Sequence, residues 1–284
     1  MALDGTGSFS SKTIHGASCL HKVHRNGSST YYHQMLGAAI THPEGRAVMP
    51  LMPEPIVKQD GTAKNDGERQ AATRFLGKLR QDHPHLQCLV TADSLRAHAP
   101  HIEPLHAQGL HSILGVKAGE QGSLFQHVQA AEHRGGVTSY ERHDHDAGRV
   151  PRVRLVHAMP LNESNAEGRV NGIEDWAIGA DSVQPLSWVT DLRVSQRNVD
   201  HLMRGGRARW KMENATFKTL THQGYHFEPH DGHGLDNLSV VLAVGMLLAF
   251  LVDQTQQRCC ALCRAVWVKM GSKRLVWERR RALF

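Results

Sequence analysis

With 284 residues, 40% of them hydrophobic and 21% charged, the chain has the composition of a folded protein rather than a disordered one. It is long enough for one large domain, or for a core carrying an insertion. Five cysteines without framework spacing argue against a disulfide scaffold and point to reduced thiols in the cytoplasm, and the net charge of +6 favours an anionic partner.

The first nine residues carry no basic region followed by an apolar one, so they do not read as a signal peptide. Leu3 and Asp4 read as the end of a strand, with Gly5 and Gly7 marking a turn. Strands usually run about five or six residues, so this first one is expected to be cut short. Further strands are expected over Tyr31–Ile40 and Arg46–Leu51, the latter closed by Met52-Pro53-Glu54-Pro55. After Asp60-Gly61 the apolar residues Ala71, Ala72, Phe75, Leu76 and Leu79 predict a helix that stops at Pro84. Leu86 to Asp93 is a short apolar run ending in an acid, the pattern of a buried central strand. Ser94 is placed to cap a helical stretch through Leu95 and Ala97, with more helix from Pro100 to Gln108. His111–Val116 is another buried strand. Strands alternating with helices predict an α/β layer with polar residues at strand ends, where α/β sites gather.

From 120 to 182 the texture changes. A helix over Ser123–His133 precedes alternating segments at Val137–Arg142, Val150–Met159 and Val170–Ile178. Asp146-Ala147-Gly148 and Asn162 to Asn165 separate them, and the whole reads as a β-rich, peripheral insertion. Ser187–Leu192 returns to a buried strand, followed by a helix from Asn198 to Gln223 and a His- and Gly-rich loop. Leu238–Gln257 reads as a buried core helix, because its longest apolar run, Val240–Val252, is too short to span a bilayer.

Charge is unevenly distributed. Residues 258–284 hold Arg258, Arg264, Lys269, Lys273, Arg274, Arg279, Arg280 and Arg281 against Glu278 alone. Residues 196–222 add Arg197, Arg204, Arg207, Arg209, Lys211 and Lys218 against Asp200 and Glu213. Such clustering suits either phosphate contact or solvated helix faces. Zinc is less well served. Cys260 and Cys263 form a single CxxC without a second pair, and neither His226, His230 and His233 nor His143-Asp144-His145-Asp146 matches a zinc spacing.

Within the 198–223 helix, Trp210, Phe217 and Leu220 form an apolar stripe that should face a core. Glu213 falls on that stripe, with Arg209 one turn earlier. An inward carboxylate needs a cation, so Glu213 is either the partner of Arg209 in an ion pair or a metal ligand. Asp4 and Asp93, at two strand ends, are the other acids it could join. Three converging carboxylates would supply hard oxygen ligands for two Mg²⁺ or Mn²⁺ ions, which could activate a water or a 3′-hydroxyl for attack at phosphorus.

These residues resemble the DDE transposases of bacterial insertion sequences, in the RNase H-like (retroviral-integrase) superfamily. The similarity is to the branch with a β-rich insertion between the second Asp and the Glu. It is carried by Leu3-Asp4-Gly5-Thr6, by Val90-Thr91-Ala92-Asp93-Ser94, and by Arg207-Ala208-Arg209-Trp210-Lys211-Met212-Glu213-Asn214 with Phe217 and Leu220. The resemblance implies an RNase H-like α/β core formed by residues 1–119 and 183–258, an insertion at 120–182, and a basic helical tail at 259–284. It implies metal binding by Asp4, Asp93 and Glu213 and contact of Arg209 with the transposon end. Arg204, Arg207, Lys211 and Lys218 would lie beside the DNA backbone. The substrate would be double-stranded DNA, cut and joined by a cytoplasmic protein acting as a homodimer, with no membrane partner. Two positions depart from the family pattern: Gly206 stands where a Tyr is usual, and Leu220 where a Lys is usual, Lys218 being the nearest substitute. The family also carries a region ahead of its first Asp that is used to recognise transposon ends. The chain is therefore expected to be a catalytic core without that front, or a DNA-binding remnant that no longer turns over.

Overall fold

The structure is a computed structural model of the chain, and describes all residues except 61–63, 94–103, 118, 120, 142–151, 163–164, 177–185, 228–236 and 283–284. Ser94 with its expected helix, His143 to Asp146, His230 and His233 lie outside the described residues. The strands are β1 (Ala2–Ser11), β2 (Leu20–Val23), β3 (Ser29–Thr41), β4 (Val48–Pro50), β5 (Glu54–Ile56), β6 (Leu89–Ala92), β7 (His111–Val116), β8 (Val137–Glu141), β9 (Arg152–Asn162), β10 (Asn165–Trp176) and β11 (Leu186–Thr190). The longer helices and helical turns are α1 (Lys64–Asp82), α2 (Gly122–His133), α3 (Val199–Arg207), a π-helical turn (Met212–Phe217), α4 (Lys218–His222), α5 (Leu238–Cys259), α6 (Ala261–Met270) and α7 (Lys273–Arg281). The architecture is mixed α/β, with parallel and antiparallel strand pairs and flanking helices. The described residues fall into two compact units, Met1–Phe75 with Trp210–Phe284, and Leu76–Arg209.

In the first unit β3 is the central strand. It pairs antiparallel with β1 from Ala2↔Ala39 to Ser11↔Tyr31, with an irregularity between Gly7 and Phe9. It also pairs antiparallel with β2, β4 and β5. Opposite residues in such a ladder share a face, so Ala2 with Ala39 and Thr6 with Met35 mark one side of the sheet. Ala2, Met35 and Ala39 bury themselves there against Met212, Leu220, Tyr225, Phe227, Ala243, Leu247 and Phe250. The other side meets α1. A Cβ on Gly5 would lie 2.4 Å from Glu68 Oε1, and Gln34 Nε2 donates to that oxygen at 2.9 Å. The sheet is thus sandwiched by helices, as two-layer burial requires.

In the second unit β6 and β7 are parallel, Leu89↔His111 to Ala92↔Leu114. The order then runs β7, β11, β10, β9, β8, each pair antiparallel. The strands predicted within 120–182 extend this sheet directly through β10 and β11. Helix α2 packs on β8 and β9, and α3 on β6 and β7. The core here is Ile113, Val153, Leu155, Ile173, Trp188, Val194, Val199, Leu202 and Met203.

Three expectations need correction. The first strand does not end at Asp4: β1 runs ten residues, straight through Gly5-Thr6-Gly7. The glycines serve close packing rather than a turn, Gly5 leaving room for the Glu68 carboxylate. The helix expected over 198–223 is interrupted. At the end of α3, Ala208 N–H is shared between Arg204 and Gly205 carbonyls and Arg209 N–H reaches Gly206, a tightened turn. A wide turn follows, with Lys218 N–H donating to the Glu213 carbonyl five residues back. The changed period moves the buried stripe to Met212, Thr216, Thr219 and Leu220, leaving Trp210 52% exposed and Glu213 exposed. Finally, α5 is not buried all round. Ala243, Leu247, Phe250 and Gln254 form its buried stripe, while Val241, at 63%, and Leu248, at 59%, stand exposed. By length and composition alone α5 is apolar enough to cross a membrane.

Candidate carboxylate site

Asp4 is the third residue of β1 and lies directly across from Gly37 of β3. It therefore belongs to the face that the π turn and α5 cover. Gly37 shows how closely: a Cβ there would sit 2.6 Å from Met212 Cε and 2.8 Å from Phe217 Cζ. The two ends of the π turn press onto the sheet at Gly37, which has no side chain. Asp4 is half-buried, and its Oδ1 accepts the Gly5 N–H at 3.0 Å. Glu213, second residue of the π turn, is held between these two anchors yet exposed to solvent. π turns of this kind recur at functional sites, because they re-aim side chains without ending a helix. Two of the three predicted acids are in this way brought to one layer of the first unit: Asp4 on the covered strand face, and Glu213 on the turn that covers it.

Asp93 is the first residue beyond β6 and is half-buried. It belongs to the second unit, at the carboxyl end of a strand paired in parallel with β7. That is the position at which ligands gather in open α/β sheets. Among the described residues, no three His, Cys, Asp or Glu side chains are grouped so as to hold a metal ion. The donor chemistry of Asp4, Asp93 and Glu213, all hard oxygens, suits Mg²⁺ or Mn²⁺.

The five basic candidates divide into two kinds. Arg207 is turned to internal use: its guanidinium donates to Asp175, which is buried, and lies 5.9 Å from the Trp188 ring centroid. The neighbouring Gly206 packs on the same indole, since a Cβ would meet Trp188 Nε1 at 2.5 Å. This accounts for the absence of a larger residue at 206. Lys211 is likewise committed. Its ammonium donates to the carbonyls of His42, Pro43 (2.8 Å) and Gly45 (2.6 Å), and burial pushes its pKa down. Arg209 is half-buried. Arg204 and Lys218 are exposed, with Lys218 Nζ donating to Asn214 Oδ1 at 2.6 Å.

The tail is folded, not a loose arm. Trp277 of α7 packs edge-on to Tyr225 at 5.3 Å between centroids, Val276 is buried, and Arg280 reaches Asp253 at 3.3 Å. Tyr225 donates to the other Asp253 oxygen at 2.5 Å, and burial together with that carboxylate holds its phenol well above the usual range. Arg258, Arg264, Lys269, Arg274, Arg279 and Arg281 remain exposed around this framework.

Two polar arrangements were not legible in the sequence. Asp191, just after β11, binds His111 Nδ1 at 2.5 Å with Oδ2 and accepts Ser112 N–H at 2.7 Å with Oδ1, while His106 stands 3.6 Å away. An acid ending a buried strand was the available signal, but its partner strand lies 80 residues distant. At the far end of the β1–β3 ladder a groove of about 610 Å³ is lined by residues including Phe9, His21, Tyr32, His33 and Gln34. The consecutive Tyr31, Tyr32 and His33 of β3 were its trace. No known family profile and no curated protein matches this chain.

Proposed function

We propose that the chain is the catalytic core of a DDE-type transposase with an RNase H-like arrangement. It would cleave double-stranded DNA at insertion-sequence ends and transfer the resulting 3′-hydroxyl. Asp4, Asp93 and Glu213 would hold Mg²⁺ or Mn²⁺, which would supply Lewis acidity at phosphorus when bound. The observation that carries this reading is the seating of the π turn over Gly37, which sets Glu213 above the strand face that Asp4 shares. Exposed Arg204 and Lys218, with the cations of α6 and α7, offer phosphate contacts. A homodimer in the cytoplasm follows from the same resemblance.

A second reading is a DNA-binding protein without turnover. It is favoured by the lack of a three-ligand metal group among the described residues, while leaving the exposed cations their role.

One pair of measurements separates them. The first is Mn²⁺-dependent nicking of a duplex bearing the ends of the encoding element, by wild type and by Glu213→Gln. The second is duplex affinity as a function of salt. Nicking lost in Glu213→Gln supports the transposase. Steep salt dependence without nicking supports the second reading. A flat salt response overturns both, because phosphate contact must release counterions.

A further inference from the structure

The CxxC segment joins two helices. Helix α5 ends at Cys259 and α6 begins at Ala261, so Cys260 is the residue between them, extended at φ −107° and ψ 117°. It is the N-cap of α6, and Cys263 is the third residue of that helix. An N-cap side chain faces the first turn and the residue three positions on. The spacing therefore sets both cysteines on the first turn of α6, where the Cys263 thiol donates to Gln256 Oε1 at 3.9 Å. Both residues are half-exposed, in contrast to Cys19, which is buried. Beside them lies a cleft of about 170 Å³ lined by Cys263, Leu262, Val266, Trp267, Gln256 and Arg280. It offers an apolar wall and the Asp253–Arg280 ion pair next to the second sulfur.

We propose that Cys260 and Cys263 form a thiol–disulfide exchange site, with Cys260 the attacking sulfur, Cys263 the resolving sulfur, and a low-molecular-weight disulfide as oxidant. The division of roles follows from the surroundings. The Cys263 N–H and thiol, then the Leu262 N–H and the Arg264 charge, favour a Cys260 thiolate and lower its pKa. The neighbouring Cys260, together with burial, raises the pKa of Cys263, and its thiol donates to Gln256, which keeps that sulfur protonated until it is needed. The charged groups facing Cys263 from α5 and α7 are Asp253 and Arg280, which act in opposite senses. In the exchange, the Cys260 thiolate attacks one sulfur of the oxidant, breaking its S–S bond and releasing one thiolate. Cys263 then loses its proton and attacks the Cys260 sulfur of the mixed disulfide, releasing the second. Two protein thiols are oxidised to one disulfide, and one external disulfide is reduced to two thiols. Two sulfurs alone do not make a zinc site, and no group of three metal-holding side chains stands here among the described residues.

The test equilibrates the full reduced chain with oxidised and reduced glutathione in varying ratio, quenches with acid, and maps cysteine peptides by mass. The expected product is an intramolecular Cys260–Cys263 disulfide with a single midpoint. Cys263→Ser should accumulate glutathione on Cys260, and Cys260→Ser should abolish the crosslink. Limiting iodoacetamide near neutral pH should alkylate Cys260 severalfold faster than its exposed neighbour Cys259. Mapping that shows no Cys260–Cys263 crosslink in the wild-type chain, or Cys259 reacting as fast as Cys260, would overturn the assignment.

Discussion

Asp4 and Gly37 face each other across the β1–β3 ladder, and the missing side chain at Gly37 is what lets the π turn close over Asp4. A methyl group at 37 would need Met212 and Phe217 both to give way by several tenths of an ångström. The Met212 methyl can swing aside, but the Phe217 ring is stiffer, and Met212 has no exposed surface to move into. Gly37→Ala should therefore destabilise the fold by about 1–3 kcal/mol, the usual cost of overpacking. Chemical denaturation measures it directly. The same substitution should reduce any Glu213-dependent nicking more than it reduces duplex affinity, because it lifts the turn and not the exposed cations. An unchanged midpoint would show that the turn is not seated on Gly37.

A second prediction concerns Arg74. It donates to Glu54 Oε1 at 2.8 Å, to Asp60 and to the Pro55 carbonyl, and both acids are buried. Burial raises the Asp60 pKa, yet the Arg74 hydrogen bonds, the Val57 N–H and the Arg74 charge together outweigh it and leave the value below 3.8. A depressed carboxylate contributes stability that is present above its unfolded pKa and is lost as pH falls through the folded one. In the wild type that loss is confined to pH below about 4. Arg74→Met removes the guanidinium that two buried acids share. Breaking a buried pair costs about 3–5 kcal/mol, and since the Arg74 side chain is 36% exposed, about 2 kcal/mol is expected at neutral pH. The variant should recover part of the deficit on acidification, as Asp60 protonates. A deficit that stays constant down to pH 4 would contradict this.

How much of this could be read in advance depends on the range over which a residue acts. Period and punctuation placed β3, α1, β7 and α2 within a few residues, because alternation and caps are local. Asp93 was legible for the same reason, as the acid closing an apolar run. Asp4 was misplaced because Gly5 and Gly7 are turn residues in isolation. Only the Glu68 carboxylate, 63 residues away, gives Gly5 a strand role. The stripe through Trp210 and Glu213 failed because a 3.6-residue period was assumed where the chain widens to a π turn. The Trp188 indole against Gly206 explains why that position carries no side chain, which the sequence alone does not reveal.

The third prediction is a pH dependence in the alkaline limb. Lys273 places its ammonium 4.5 Å from the Phe250 ring centroid and 5.4 Å from that of Trp267, and burial lowers its pKa from 10.5 to about 8 against the pull of Asp253. A base with a lowered folded pKa penalises the fold below that value. The penalty is relieved as pH rises from the folded pKa towards the unfolded one. The wild type should therefore gain stability relative to Lys273→Met between pH 8 and 10.5. The gain should be less than the full linkage of about 1.4 kcal/mol per pKa unit, since the ring faces already solvate the cation in part. Denaturation midpoints of the two proteins across that window give the difference. Parallel curves would place Lys273 in water.

The last prediction separates two lysines that the sequence treats alike. Lys218 is exposed and bonded only locally to Asn214 among the contacts described above, so it can turn to a phosphate at little cost. Lys211 binds three carbonyls of the 42–45 loop and cannot leave them without stranding those acceptors. Lys218→Ala should leave the denaturation midpoint within about 0.5 kcal/mol of wild type, as surface substitutions do. It should lower the slope of log affinity against log salt by about one, the loss of a single phosphate contact. Lys211→Ala should do the reverse. The stability loss should be about 1 kcal/mol, the low end of the cost of unmade hydrogen bonds because the loop can admit water. The salt slope should change by less than in Lys218→Ala. Equal effects of the two variants on the salt slope would mean that the Lys211 ammonium abandons its carbonyls for DNA, and that the loop at 42–45 moves when the duplex binds.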